Sequence, residues 1–390
     1  MADRRLLLLS PESPWPPYGG GAMRTYTLLE YFRRHYGVDL VVFRDPSQPD
    51  PRASIPPDAA QQVVVLELPV HSRHLWSRGW RNLRRLARGA VPLVDRFAGF
   101  ESQLATLLAG RSYDVGIIEH FWCAPYVTVL RPLCRRLVLN LHNIESRLLE
   151  SSAAIVSPPL RIALQRFADH CRDAEKLYLG QFDLLLATSA ADAACLPTYP
   201  TAVVPNALPS WPVPCVEKDH SLVFSANFAY APNHDAVSWF SRSIWPEVAD
   251  NFPNLRWRLV GRGVDSVVPL LSASPRIEWT GPIDDALSAI ARSNLAVVPL
   301  RAGSGTRFKI LEAWAAGVPV VSTSLGCEGL QAISGTDLLI ADDARSFVDA
   351  IVLILKDSGL CERLSRSARI KFESQYSWNA AWRALEEAGF

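Results

Sequence analysis

A chain of 390 residues with 49% hydrophobic and 20% charged residues is long and apolar enough for two or three domains with sizeable cores. Its formal net charge of +1 excludes a global polyelectrolyte partner, so we expect no nucleic acid to bind, and any charged surface must be local. The seven cysteines are odd in number and form no C-x-x-C pair, which argues against zinc and a disulfide framework and favours a reducing, cytoplasmic compartment. No run approaches the ~20 apolar residues of a membrane span.

The chain opens with the pattern strand, glycine loop, helix, strand. Residues 6–9 predict a buried strand, residues 10–21 a loop that ends in three glycines, residues 22–34 a helix and residues 38–43 a second strand. This order is typical of the first unit of a Rossmann-like domain, in which the loop lies at the ligand-binding edge. Gly20 and Gly21 are therefore candidate ligand contacts, with a tight turn that binds nothing as the alternative.

Residues 71–88 predict a basic amphipathic helix. They contain six arginines and no acid, namely Arg73, Arg78, Arg81, Arg84, Arg85 and Arg88. Trp76, Trp80 and Leu83 recur on another face at helical spacing. This pattern is typical of a helix that lies in a membrane interface, and it predicts a membrane patch of Trp76, Trp80, Arg78, Arg81, Arg84 and Arg85. The alternatives are a solvated basic face or a helix that binds an acidic small molecule.

Two further predicted strands end in polar side chains. Residues 113–118 are followed by Glu119 and His120, and residues 136–141 are followed by His142. Because the carboxyl ends of parallel strands meet at the ligand crevice, we expect these three side chains to contribute to a site. The alternative for His142 is a structural role beside a helix capped by Asn143.

A proline-rich segment at 209–214 separates this region from a second set of strands, predicted at 221–225, 255–260, 276–280, 295–300 and 318–323. A glycine loop and a short helix, residues 308–316, connect the last two strands. The amide groups at such a helix start favour an anion, and Arg307 and Lys309 add two cations. Glu312 lies one turn further on, where its carboxylate can accept two hydroxyl hydrogen bonds. Together these groups suit a nucleotide, with the diphosphate on the amides and cations and the ribose on Glu312. The alternative is that the two cations lie at the helix start and bind no ligand.

The string from residue 303 to residue 330 carries a family resemblance. A glycine loop and a basic residue precede L-E-A-x-A-x-G at 311–317, V-P-V-V at 318–321 and G-x-E-G at 326–329. In this order they resemble the donor-binding segment of retaining glycosyltransferases of the GT-B type, the large family 4 or group 1. The resemblance extends more weakly over nearly the whole chain.

The resemblance implies an α/β fold of two Rossmann-like domains that face each other across a cleft. It implies transfer of a sugar, with retention of configuration, from a nucleotide-sugar to a sugar or lipid-linked acceptor in cell-surface polysaccharide or glycoconjugate assembly. No cofactor and no metal are expected, and no D-x-D triplet occurs. The expected place is the cytoplasm, at the inner face of an anionic plasma membrane. The implied domains are 1–208 for the acceptor, 209–220 as hinge, 221–375 for the donor, and a final helix, 376–390, that packs back on the first domain.

The resemblance also distributes roles among the candidates. His142, Arg307 and Lys309 are expected to act in catalysis, and Glu119, His120 and His142 to lie on the acceptor side. The expected donor contacts are Gly20, Gly21, Gly281, Ile283, Gly303, Ser304, Gly305, Thr306, Arg307, Lys309 and Glu312.

The chain departs from the family pattern at two places. The family usually has two glutamates eight positions apart, and here Ser304 stands at the first while Glu312 matches the second. Many members also carry an arginine and a lysine after the first strand of the donor domain, whereas this chain has neither between Ser225 and Arg242. We therefore expect Arg307 and Lys309 to replace that pair. An inactive nucleotide-binding subunit and a nucleotide-sugar epimerase of the same fold remain as alternatives.

Overall fold

The computed structural model describes residues 4–72, 74–154, 156–271, 276–283, 285–303 and 307–390. The chain forms two compact units. The N-terminal unit comprises Met1–Val204 and Ala384–Phe390, and the C-terminal unit comprises Pro205–Arg383.

The N-terminal unit is built on a seven-stranded parallel sheet. Its strands are β1 (Arg5–Ser10), β2 (Gly37–Arg44), β3 (Gln62–Glu67), β4 (Tyr113–Glu119), β5 (Cys134–Asn140), β6 (Leu184–Ala187) and β7 (Thr201–Val203). Its helices are α1 (Gly20–His35), α2 (Leu75–Ala87), α3 (Pro92–Phe97), α4 (Glu101–Leu107), α5 (Val127–Leu130), α6 (Glu145–Ala153), α7 (Pro158–Tyr178) and α8 (Ala190–Ala194). The order in the sheet is β3-β2-β1-β4-β5-β6-β7. Leu6 to Leu9 of β1 are fully buried, as expected of a central strand covered on both faces.

The C-terminal unit repeats this plan with a six-stranded parallel sheet. Its strands are β8 (Ser221–Ser225), β9 (Arg256–Val260), β10 (Ile277–Thr280), β11 (Leu295–Val298), β12 (Val320–Ser322) and β13 (Leu339–Ile340), in the order β10-β9-β8-β11-β12-β13. Its helices are α9 (Ala231–Ser243), α10 (Trp245–Asn251), α11 (Ala286–Ala291), α12 (Phe308–Ala315), α13 (Ala344–Lys356) and α14 (Ser358–Lys371), and α15 (Trp378–Glu387) begins in it. The prediction of an α/β fold with two Rossmann-like domains is thereby confirmed.

The predicted strands agree with the observed ones apart from their ends. After β8 the chain runs through a short loop, residues 226–230, before α9 begins at Ala231. Pro232 occupies its first turn, where the missing N–H costs no intrahelical hydrogen bond. The predicted short helix before β12 is α12, and Gly317 after it adopts the left-handed φ of 67° that ends a helix.

In both sheets the strand order changes direction at one place. The change lies between β1 and β4 in the N-terminal unit and between β8 and β11 in the C-terminal unit. All pairs are parallel, with Leu9 opposite Ile118 and Leu222 opposite Leu295. The loops that follow such strands diverge and leave a crevice at their carboxyl ends, which is where open α/β sheets bind ligands. The fold therefore offers one candidate crevice in each unit.

The last residues of the chain belong to the N-terminal unit. The Phe390 ring lies 5.2 Å from that of Phe32 and 4.6 Å from the Arg136 guanidinium carbon. Arg136 also donates to the Gly389 and Ala388 carbonyls at 2.9 and 2.8 Å. Among the helices that the structure describes, none has the length and apolar character needed to cross a bilayer.

Candidate functional site

In the N-terminal unit, Glu119 lies at the centre of a buried hydrogen-bond network. Its Oε2 accepts from Thr25 Oγ1 at 3.1 Å, from Asn140 Nδ2 at 2.8 Å and from His142 Nε2 at 2.7 Å. β4 and β5 place Glu119 opposite Asn140, which explains how residues from separate strands meet. With Arg24 these residues form what we call the Glu119 network.

Arg24 of α1 connects this network to the end of the unit. Its Nε and Nη2 donate to Asn140 Oδ1 at 3.0 and 2.6 Å, and its Nη1 donates to the Val204 carbonyl at 2.8 Å. Burial lowers the pKa of Arg24 to about 10, against the attraction of Glu119. The guanidinium is therefore charged at neutral pH and holds α1, β5 and the segment after β7 together.

His120 shows the marks of a functional residue. Its φ of 62° is in the left-handed region, which non-glycine residues rarely adopt unless their surroundings enforce it. Its ring stacks on that of His142, with centroids 3.4 Å apart, and on that of Trp122 at 4.2 Å. Neither ring nitrogen has a hydrogen-bond partner among the residues that the structure describes. A strained, buried and unsatisfied imidazole at a crevice is a candidate ligand contact.

Both histidines are neutral at neutral pH. Burial lowers the pKa of His120, and a proton on the neighbouring His142 would lower it further. Burial likewise lowers the pKa of His142, and Arg24 adds to the effect. Because His142 is neutral, it donates its Nε2–H to the Glu119 carboxylate rather than forming an ion pair with it.

The glycine loop before α1 borders the same place. A Cβ atom on Gly21 would lie 2.3 Å from Glu12 Oε1 and 3.4 Å from His120 Nε2, so a side chain at this position would displace Glu12. Gly20 is the first residue of α1. The structure thus brings Gly21, His120 and His142, three predicted site residues, to the crevice between β1 and β4.

In the C-terminal unit, Glu312 of α12 faces the end of β8. Ser225 Oγ donates to Glu312 Oε2 at 2.9 Å. Burial raises the pKa of Glu312, although Ser225 and Lys309 oppose the shift. The side chain is half-buried, so the carboxylate keeps capacity for further donors.

Lys309 lies on the same side of α12. Its Nζ donates to Asn233 Oδ1 at 2.8 Å and lies 5.3 Å from the centroid of the Phe224 ring. Burial and the charge of Arg307 lower the pKa of Lys309 to about 7. The ammonium group is therefore half-titrated near neutral pH, and an anion beside it would draw it back to the charged form.

The remaining predicted donor contacts are placed as follows. Arg307 is buried directly before α12, where a Cβ on Gly303 would lie 3.1 Å from its Nη1. Gly281 and Ile283 follow the edge strand β10, two strands away from β8, and the space around Gly281 is open. Ser304, Gly305 and Thr306 lie outside the described residues.

The predicted membrane patch lies on α2. Trp76 is 93% and Trp80 62% exposed, so the apolar face of the helix is not covered by the unit. Arg85 donates to Asp95 Oδ2 at 2.7 Å. Arg78, Arg81 and Arg84 make no side-chain hydrogen bond or ion pair within the described part of the chain, and Arg73 is outside it.

Sequence reasoning missed the residues that hold the predicted ones in place. Arg24, Thr25 and Asn140 support Glu119 and His142, while Ser225 and Asn233 bind Glu312 and Lys309. Only Ser225 carried a local signal, because it is the polar end of a predicted strand. The others meet their partners through pairing across the sheet or the packing of a helix on it.

Comparison with known proteins agrees with this architecture. Residues 219–357 match the family model described as Glycosyl transferases group 1. Over the whole chain the fold is similar to that of sucrose-phosphate synthase from Thermosynechococcus elongatus, with a TM-score of 0.75, 18% identity and coverage of 99% of this chain and 98% of that one. It is also similar to HepE from Anabaena, solved with UDP and glucose, with a TM-score of 0.69, 16% identity and 99% coverage of both.

A third solved structure and one sequence relative extend the comparison. The UDP-forming α,α-trehalose-phosphate synthase from Burkholderia xenovorans, solved with glucose-6-phosphate, has a TM-score of 0.67 and 13% identity over 98% of this chain and 99% of that one. An uncharacterized 44.6 kDa protein in the cps region of Klebsiella pneumoniae is 28% identical over 151 residues, 36% of this chain. That alignment spans 39% of the relative.

Proposed function

We propose that the chain transfers a sugar from a nucleotide-sugar to an acceptor with retention of configuration, since residues 219–357 match the family model Glycosyl transferases group 1 and the fold is of the GT-B type. The observation that carries the proposal is the pair of polar groups at the end of β8. Glu312 and Lys309 project from α12 toward Ser225 and Asn233, inside the segment that matches the family model. A carboxylate for hydroxyl groups beside a cation for phosphate is the pairing that a nucleotide requires.

In this proposal Glu312 binds the ribose. Ser225 engages Oε2 and orients the carboxylate, so that the remaining lone pairs accept from the two ribose hydroxyls. We take UDP as the first nucleotide to test, because HepE was solved with UDP and with UDP-glucose.

Arg307, Lys309 and the amide groups at the start of α12 bind the diphosphate. Charge develops on the diphosphate as the bond to the sugar breaks, and fixed positive groups stabilise that charge more in the transition state than in the ground state. The chemistry proposed here uses these cations and needs no metal ion. Activity that is unchanged by EDTA is the expected result.

His120 and His142 contact the reacting sugars on the acceptor side. Both rings are neutral, and a neutral imidazole offers a donor and an acceptor to sugar hydroxyl groups. The Glu119 network fixes the His142 ring, which makes Glu119 a positioning residue rather than a direct contact.

The decisive experiment measures donor turnover and product stereochemistry. Full-length protein is incubated with a panel of nucleoside-diphosphate sugars, and release of nucleoside diphosphate is followed with and without sugar acceptors. We expect one donor to be consumed, Glu312→Ala to abolish consumption, and Glu362→Ala, which changes an exposed glutamate of the same unit, to leave it unchanged. The anomeric configuration of the product by NMR must match that of the donor; inversion would overturn the proposed mechanism.

One sequence feature supports a second candidate, an inactive subunit that binds nucleotide. Ser304 stands where the family has a glutamate. Without that glutamate a sugar contact is missing, while the proposed nucleotide contacts at Glu312 and Lys309 remain. Calorimetric binding of UDP together with no turnover of any donor in the panel would favour this candidate over the enzyme.

We further propose that the acceptor is lipid-linked and that the protein works at the anionic inner face of the plasma membrane, in polysaccharide assembly. The cps-region relative supports the polysaccharide context, and the exposed Trp76 and Trp80 on a basic helix support the membrane contact. Vesicles of anionic lipid should sediment the wild type at low salt. Trp76→Ser/Trp80→Ser should remain in solution, whereas Trp279→Ser, at an exposed tryptophan of the other unit, should sediment normally. A wild type that stays in solution would exclude the membrane contact.

A further inference from the structure

A small pocket lies between α2, the segment before it and α3. It has a volume of ≈ 140 Å³, and one water needs roughly 10–15 Å³ on this measure. Its lining consists of His71, Arg81, Arg84, Arg85, Arg88 and Asp95. Four arginines thus share the lining with one aspartate. We call this the arginine pocket.

The single acid neutralises only one of the four cations. Asp95 Oδ2 accepts from Arg85 Nε at 2.7 Å. The side chains of Arg81, Arg84 and Arg88 have no hydrogen-bond or ion-pair partner anywhere in the described ranges. The pocket therefore holds several unpaired donors that converge on one space.

The cations around His71 act on its pKa. Burial lowers the pKa of His71, and the charges of Arg96, Arg81 and Arg85 lower it further, against the opposing effect of Asp95. Arg96 itself is engaged elsewhere, since it donates to the Pro69 carbonyl at 2.6 Å and to Asp45 Oδ2 at 3.0 Å. Apart from Arg85, the pocket arginines have no such partner in the part of the chain that the structure describes.

The pocket arginines repel one another when the pocket is empty, while the helix dipole favours the cations of the last turn, Arg84 and Arg85. Arg81 and Arg85, and likewise Arg84 and Arg88, are four residues apart on α2, where like charges repel. Residues that destabilise their own helix without stabilising another part of the fold are typical of functional sites. An anion in the pocket would remove the repulsion.

We propose that the arginine pocket binds a diphosphate group carried by a lipid. Guanidinium groups present paired N–H donors that match phosphate oxygens, so several around one space suit a multiply charged phosphate. The lipid source rests on the proposed function, which calls for a lipid-linked acceptor. It also rests on the exposed side chains of Trp76, Trp80 and Leu83. At about 100° of rotation per residue, the centre of their face lies roughly 120° around the helix axis from the centre of the face that carries the pocket arginines. One helix would then contact the lipid chain with one face and its phosphates with the other.

The test compares two sets of arginines on the same helix. Binding of farnesyl diphosphate in non-ionic detergent to the full chain is measured by calorimetry, with farnesol and inorganic pyrophosphate as further probes. Arg81→Gln/Arg84→Gln removes two pocket cations, and Arg78→Gln removes an exposed, unpaired cation that does not line the pocket. We expect saturable binding of farnesyl diphosphate, at least tenfold weaker in the double variant and within twofold of wild type in Arg78→Gln.

Each other outcome overturns part or all of the proposal. Absence of saturable binding, or equal losses per arginine in both variants, would mean a diffuse positive surface and no pocket site. Equal affinities for inorganic pyrophosphate and farnesyl diphosphate would overturn the lipid source, and binding of farnesol as tight as that of farnesyl diphosphate would overturn the phosphate contact. If the double variant does not fold, the wild type is treated with phenylglyoxal, which modifies arginines, and the modified residues are mapped by mass spectrometry. Protection of the pocket arginines by farnesyl diphosphate would support the proposal, and no protection would overturn it.

The design separates this proposal from the donor site. The double variant should keep the wild-type affinity for UDP, while Glu312→Gln should keep the wild-type affinity for farnesyl diphosphate. If the wild type binds farnesyl diphosphate but not UDP, the proposed donor function fails and the arginine pocket stands. If it binds UDP but not farnesyl diphosphate, the arginine pocket fails and the proposed donor function stands.

Discussion

The crevice of the N-terminal unit and that of the C-terminal unit occupy equivalent places in their sheets but differ in chemistry. In the first, Glu119 accepts three hydrogen bonds through one oxygen and lies in the core with a buried arginine and two neutral histidines. In the second, Glu312 and Lys309 are half-buried, and each makes one hydrogen bond to a neutral side chain. In the first arrangement the three hydrogen bonds to Glu119 Oε2 fix the side chains, while Glu119 Oε1 and both His120 ring nitrogens have no partner among the described residues. The second arrangement leaves charge available for a ligand. The same topology thus supports a rigid site for neutral hydroxyl groups and an adjustable one for an anion.

Removing the buried charge of Arg24 from the first crevice should have the largest effect, a loss of stability. Arg24→Met leaves Glu119 buried without its arginine and breaks the hydrogen bonds to Asn140 and Val204. We expect a loss of about 3–5 kcal/mol in the free energy of unfolding, the range when a buried charge loses the opposite charge that attracts it. That corresponds to a fall of roughly 6–20 °C in the melting temperature of a unit of this size.

The matched control for Arg24 is Arg135→Met, at an arginine of β5 whose side chain is 81% exposed. Its melting temperature should stay close to that of wild type. A similar shift in both variants would show that Arg24 has no special structural role. Calorimetry of UDP binding should give wild-type affinity for both variants, because neither belongs to the donor unit.

Removing a direct contact from the first crevice should affect rate more than binding. His142→Ala removes a ring that donates to Glu119 and stacks on His120. We expect kcat to fall by about 10²-fold or more, the lower end for a group that exchanges protons or hydrogen bonds with reacting atoms. The KM for the donor should change little. His170→Ala on α7 serves as the control, and a His142→Ala enzyme with wild-type kcat would refute the assignment.

In the second crevice, Glu312→Gln should weaken nucleotide binding while preserving the fold. The amide retains the shape but loses the charge that the ribose hydroxyls are proposed to meet, a loss of about 1–3 kcal/mol or roughly 5–150-fold in affinity. Calorimetry with UDP measures it, with Glu362→Gln as the control at an exposed glutamate. Unchanged affinity would remove Glu312 from the donor site.

The smallest expected effect is a pH dependence of UDP affinity, which arises from Lys309 in the second crevice. The pKa of Lys309 is about 7 in the free protein, and a bound diphosphate would raise it, so binding takes up a proton above that pH. Because terminal phosphates titrate near pH 6, their charge is nearly constant from pH 7.5 to 9. UDP affinity should therefore fall over this interval by up to about tenfold per pH unit. Lys309→Met should abolish the slope; an identical slope in that variant would contradict the prediction.

The strands were predictable because parallel strands buried on both faces are continuous apolar runs, as in residues 6–9 and 318–321. The positions of Glu119, His142 and Glu312 were also predictable, since each follows from a strand end or a helix start. The network around them was not. Arg24 and Asn140 are 116 residues apart along the chain, and their contact depends on the order of strands in the sheet, which no local pattern encodes.

The backbone at His120 limits what evolution can place there. A φ of 62° with a ψ of 143° is accessible at low cost to glycine, but glycine offers no aromatic ring to stack between His142 and Trp122. Residues that could replace the ring, such as phenylalanine or tyrosine, would meet the backbone penalty and lose the imidazole nitrogens. Each single change therefore satisfies one requirement at the expense of another. Substitution at this position should require a second change in the β4 loop, so that His120 is expected to vary far more slowly among close homologues than the exposed residues of α2.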